Sequence, residues 1–130
     1  MIKILEGFPG NVVAVSANGK LAREDYENVL IPAVEAALVG RDKIRVYYEL
    51  GPDFMSMEPG AAWEDLKLGI SHYLQWEGIA VVTDHEWIRH AIDVFRFLIH
   101  GRVRTYPMSR VSEARDWIFS DLVRHTIRLS

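Results

Sequence analysis

The sequence predicts a single α/β domain in which a mixed, mostly parallel five-stranded sheet, opened by an N-terminal antiparallel hairpin, carries four helices. Three observations lead to this class. Short β-type runs recur at residues 2–5, 12–17, 44–50, 78–83 and 103–106. After the second run they alternate with segments whose apolar residues fall at i, i+3, i+4 and i+7, the helical period. Strand–helix–strand units in turn impose parallel pairing through right-handed crossovers. At 130 residues the chain suits one domain, able to bury roughly two-thirds of the surface its unfolded form exposes.

Taken in order, the first two runs flank Gly7-Phe8-Pro9-Gly10-Asn11, where Pro-Gly supplies the fixed φ and the positive φ of a turn, so a hairpin is expected. Asn18-Gly19 reads as a strand-to-helix turn, because Tyr26, Val29, Leu30, Ala33, Val34, Ala37 and Leu38 then keep helical spacing. Ala22 is a weak N-cap and Pro32 predicts a kink, since it leaves the Asn28 carbonyl without its partner. In the third run Ile44, Val46, Tyr48 and Leu50 share one face, with Arg45, Tyr47 and Glu49 on the other, which predicts one dry face and one largely wet. Residues 51–59 read as a loop, followed by a helix from Gly60 to about Trp76 burying Ala62, Leu66, Ile70, Tyr73 and Leu74. Residues 78–83 form the most apolar run and hence a central strand. Asp84 is expected to cap a helix through Ile99 with Ile88, Ala91, Ile92, Phe95 and Ile99 inward. Ser109 is expected to cap the last helix, which buries Val111, Ala114, Ile118 and Leu122. Because residues 44–50 and 103–106 alternate rather than run continuously apolar, helices should lie mainly on one face of the sheet.

Composition removes several function classes. Cysteine is absent, which excludes a disulfide framework, a cysteine-built zinc or iron–sulfur site and thiol catalysis, and suits a reducing compartment. The opening stretch has one lysine, no unbroken apolar run of seven or more and no small-residue cleavage site, so it reads as neither a signal peptide nor a membrane span. A cytoplasmic protein is expected. The 15 basic and 18 acidic residues are interleaved except for mildly basic stretches at 96–104 and 124–128, so the basic stripe of a nucleic-acid binder is missing and no nucleic-acid partner is expected.

The organisation as a whole, with Pro59-Gly60-Ala61-Ala62-Trp63-Glu64-Asp65-Leu66-Lys67-Leu68-Gly69 and Ile79-Ala80-Val81-Val82-Thr83-Asp84, resembles the SpoIIAA-like family, relatives of the STAS domains of anti-sigma-factor antagonists. That resemblance covers nearly the whole chain. It implies a mixed sheet in a β/α superhelix, and its related folds include the lipid-binding CRAL-TRIO domains. In antagonist STAS domains a phosphorylatable serine opens the helix after the third strand, within an Asp-Ser-Ser/Thr-Gly type motif. Here the corresponding stretch is Gly51-Pro52-Asp53-Phe54-Met55-Ser56-Met57-Glu58-Pro59-Gly60. Ser56 is its only hydroxyl, and Asp53 and Glu58 would repel a phosphate, so Ser56 reads as an ordinary loop serine.

No catalytic or cofactor signature is present. His85 and His90 are five apart, which on one regular helix separates their rings by about 140° around the axis and defeats a shared metal. No Gly-rich dinucleotide loop, P-loop or nucleophile elbow occurs, and no cofactor is expected. An enzyme reading rests on placement alone, with Asp84 and His85 at the carboxyl ends of parallel strands, where ligands of open α/β sheets gather. The more informative feature is apolar surplus: Trp87, Val94 and Phe97 form a second stripe beside the core-facing one. Phe54, Met55 and Met57 add an apolar group in the predicted loop, where methionines adapt to binding partners. The expected function is a non-enzymatic module that binds a protein partner or a small apolar ligand through Phe54, Met55, Ser56, Met57, Asp84, His85, Trp87, Val94 and Phe97. A homodimer is expected. The alternatives are a lipid-binding or peripheral membrane-contact domain and a small enzyme at the strand ends.

Overall fold

In the computed structural model, which describes residues 1–72, 74–95 and 102–120, five strands lie side by side in chain order: β1 (Ile2–Ile4), β2 (Val12–Leu21), β3 (Ile44–Met57), β4 (Trp76–Thr83) and β5 (Arg102–Tyr106). β1 pairs antiparallel with β2, and every later pair is parallel. Sequential parallel strands demand a crossover at each step. These are a continuous helical segment of α1 (Arg23–Asp25), a π turn (Tyr26–Leu30) and α2 (Ile31–Leu38), then α3 (Pro59–Ser71) and α4 (Glu86–Phe95). A 3₁₀ turn (Met108–Arg110) and α5 (Val111–Phe119) follow β5. This is the expected mixed sheet of a β/α superhelix.

Pro32 acts differently from the simple kink expected of it. The turn ahead of it widens, with the Ile31 N–H bonded to the Tyr26 carbonyl, which lets the helix continue past a residue that can neither donate to Asn28 nor sit close to it. Ala22 has no side-chain oxygen to cap α1. Its own N–H instead donates to Asp25 Oδ2 at 2.8 Å, half of a capping box.

Period-two alternation divides β3 as expected. Val46, Tyr48 and Leu50 join Val13, Val15 and Val81 in a core shared with Tyr26, Leu30, Val34, Ala61, Leu68 and Ile88. The opposite face is not wet. Tyr47 is fully buried there with Val12, Ala14, Ala80, Val82 and Tyr106 beneath Ala114, Trp117 and Ile118 of α5. The polar residues that suggested solvent are satisfied inside: Tyr47 donates to Glu49 Oε1 at 2.8 Å, and Arg45, 3% exposed, donates to Glu77 Oε1 at 2.6 Å and to the carbonyls of Ile118 and Ser120 at 2.8 Å each.

Three further expectations are corrected. Residues 51–57 are strand, because β2 continues through Asn18 and Gly19 to pair Gly19 with Phe54, Lys20 with Ser56 and Leu21 with Met57. Gly19 takes φ +63° at the register shift, so its left-handed freedom serves a bulge rather than a turn. On α3 the buried face is Ala61, Glu64 and Leu68, whereas Ala62 and Leu74 are exposed, a shift of one position around the helix. Ser109 lies within the 3₁₀ turn and caps nothing, for Arg110 occupies the N-cap of α5 without a side-chain bond. Of the other expected contributors, Tyr73, Ile99 and Leu122 lie outside the described residues, and the side chains of Leu66, Ile70 and Phe95 are not described.

Candidate functional site

β3 just past its pairing with β4, at Gly51, meets the carboxyl ends of β4 and β5 around Thr83 and Met108. Thr83 is fully buried, and its Oγ1 accepts the His85 N–H at 3.1 Å. The His85 carbonyl accepts the N–H groups of Ile88 and Arg89, so His85 stands just ahead of α4. The helical angle between His85 and His90 is therefore not defined by one helix. The His85 ring turns to the sheet: Nε2 lies 3.3 Å from the Gly51 carbonyl and so carries its proton there, and Phe54 meets the ring edge to face at 5.3 Å. Asp84 does not cap α4. Its Oδ1 accepts the Met108 N–H at 3.0 Å, serving an orphan donor of the 3₁₀ turn and tying the β4–α4 connection to the chain after β5. Gly51 is packed closely, with the Met108 methyl 3.6 Å from where a Cβ would stand.

This corner gathers several of the residues singled out above. Phe54, His85 and Trp87 are in ring contact, with Phe54 and Trp87 centroids 6.1 Å apart. Phe54 is core, at 2% exposure, whereas Trp87 is 54% exposed. Strand alternation turns Met55 outward to 76% exposure. Ser56 and Met57 are half-buried, and Met57 leans on the core. Val94 is 59% exposed, two turns along α4 from Trp87. Phe97 lies outside the described residues. α5 packs on the other face of the sheet, so it is not what covers Trp87 and Val94.

Asp84 and His85 face different backbone groups rather than each other, and this arrangement gives neither a base aimed at a nucleophile. Among the described residues no group of three or more His, Cys, Asp or Glu is placed to hold a metal ion. Replacement of Asp84 by alanine is expected to lower stability by about 0.5–1.5 kcal/mol, the worth of one hydrogen bond. Hydrogen exchange at the Met108 amide checks it: faster exchange in the variant is the expected outcome.

A second cluster escaped the sequence reading. Tyr26 of the π turn and Tyr48 of β3 share a hydrogen bond between hydroxyls at 2.9 Å, and Asp65 of α3 interacts with Tyr26.

A single mixed sheet whose parallel strands are joined by helical crossovers, with an apolar corner at its strand ends, defines the class: a β/α superhelix. The chain belongs to the SpoIIAA-like family, whose profile matches residues 12–119. It is similar to the crystal structure of an uncharacterized protein of the DUF3478 family, with a SpoIIAA-like fold, from Shewanella loihica PV-4. The two share 28% sequence identity over 90% of this chain and 93% of that one, with a TM-score of 0.71. No curated protein matches the chain.

Proposed function

We propose that this protein is a non-enzymatic binding module that recognises another protein surface, a second copy of itself included, through α4. One observation carries the reading. Trp87 and Val94 stand seven residues apart, on the same side of the helix, and are both more than half exposed while Ile88 of that helix is 8% exposed. An isolated exposed apolar residue is ordinary, but an aromatic and an aliphatic aligned on one face of a helix whose other face is committed to the core form a patch.

Native mass spectrometry of the protein taken gently from its own cell, compared with Trp87→Asp, tests this. The expected result is a homo-oligomer or a bound protein in the wild type that is absent from a variant melting like wild type. A wild type that is monomeric and alone, or a Trp87→Asp protein that melts far lower, overturns it. A lipid-surface reading has one observation in its favour, the exposure of Trp63 (55%) alongside Trp87, since tryptophan suits the headgroup region. No helix among the described residues is long and apolar enough to cross a membrane. Co-sedimentation with liposomes, lost in Trp63→Ala and Trp87→Ala, supports that second reading over the first.

A further inference from the structure

β1 stops early, and its shortness opens a groove beside β2. Leu5, just past its end, still donates its N–H to the Ala14 carbonyl at 2.8 Å. The chain then leaves the sheet through Phe8 and Pro9 and returns at Val12, whose N–H donates to the Pro9 carbonyl at 3.0 Å. The start of β2 therefore has a loop beside it instead of a strand. Between that loop and α2 lies an open groove of about 420 Å³, lined by Leu5, Phe8 and Val12 on one side and by Ala33, Ala36 and Ala37 on the other. Its volume falls in the range of small-ligand sites. Phe8 is a braced wall, since its ring packs against those of Tyr47 and Phe119 with centroids 5.1 Å away in each case.

A single charged residue, Arg41, lines this groove. Gly40, at φ +74°, ends the helical segment in a left-handed step and returns the Arg41 N–H to the Leu38 carbonyl at 3.0 Å. The guanidinium folds back along the helix, Nη1 donating to the Ala37 carbonyl at 3.1 Å. Nη2 stands 2.7 Å from where a Cβ of Gly10 would lie, so the glycine leaves the cation its place against the loop. This arrangement commits one of the five N–H donors of a guanidinium. Among the described residues no carboxylate stands within ion-pairing distance of it, and the nearby acids in the sequence, Glu6, Glu35 and Asp42, do not line the groove. A held cation without a counter-ion thus borders apolar walls.

We propose that this groove binds a small carboxylate with an apolar tail, the Arg41 guanidinium taking the head and the space between Phe8 and α2 taking the tail. A planar guanidinium matches a carboxylate through two parallel N–H···O bonds, and the bond to Ala37 removes part of the cost of ordering the long side chain. Charge turns an ammonium head away, and the apolar lining gives a tailless anion nothing beyond Arg41 itself. The groove lies at the amino end of β2, whereas α4 follows the carboxyl end of the parallel β4, so this site is independent of the α4 surface.

In an NMR titration with octanoate at pH 7.5, below its micelle concentration, amides of residues 4–14 and 33–41 are expected to shift saturably. Acetate, which keeps the head, should bind about tenfold or more weakly, the contribution of about two buried methylenes. Octanol, which keeps the tail, should also lose about tenfold or more, as when a charged hydrogen-bonding group is removed. Octylammonium should not saturate. Arg41→Gln should bind octanoate about tenfold or more weakly for the same reason. Because that variant also weakens the end of α2, Ala36→Leu serves as a second: the position is exposed and helical, leucine suits a helix, and its side chain occupies the groove. Binding should be lost there while the melting temperature stays as in wild type. The proposal is overturned by acetate, octanol or octylammonium matching octanoate, by undiminished affinity in Arg41→Gln or in Ala36→Leu, by saturable shifts confined to α4, or by no saturable shift at all.

Discussion

Arg45→Ala is expected to lower the unfolding free energy by about 3–5 kcal/mol, the cost of breaking a buried ion pair from one side. The guanidinium is nearly sealed from water and holds three acceptors, the Glu77 carboxylate and the carbonyls of Ile118 and Ser120. Alanine removes the guanidinium from all of them. For a domain of this size the melting temperature should fall on the order of 10 °C or more. The double replacement Arg45→Met with Glu77→Met should recover part of the loss, because the part-buried carboxylate is removed together with its cation, and the carbonyls at the end of α5 account for what is not recovered. Thermal melts of the single and double variants give the comparison, and a single variant within about 0.5 kcal/mol of wild type contradicts it.

Phe54→Ala should cost about 3–5 kcal/mol, as for other large-to-small changes of buried aromatics, while the neighbouring Met55→Ala should stay within about 0.5 kcal/mol of wild type. Phe54 fills the core between His85 and Trp87, and Met55 points into solvent. Denaturant melts of the two variants separate them. Equal effects would mean that β3 does not continue through this stretch with alternating faces.

That stretch shows what the sequence conceals. Pro52 and Asp53 depress strand propensity, and Asn18-Gly19 on the partner strand carries a turn signature. The two irregularities lie near each other across β2 and β3, where a register shift absorbs both. Local chemistry thus identified the disturbance but not the pairing that tolerates it. The order of elements along the chain, the hairpin and the helical segments were legible because periodicity reports burial directly. The buried second face of the sheet was not, since Arg45 and Glu49 read as solvated until their partners from β4 and α5, or the Tyr47 hydroxyl beside them, are in place. The candidate surface was legible in Trp87 and Val94, which helical spacing alone separates from Ile88. The Tyr26–Tyr48 hydrogen bond was not legible, since it joins the π turn to β3 and local periodicity does not place the two hydroxyls side by side.

The reach of Arg45 along the chain also bears on synthesis. Its carbonyl partners follow it by 73 and 75 residues, so a growing chain has all five strands made before α5 exists to cover Tyr47, Val82 and Tyr106. Until then one side of the sheet is bare and apolar at the ribosome. A nascent or truncated chain that stops at Tyr106 should be held by chaperones or precipitate, and α5 is what renders the earlier product fit for release.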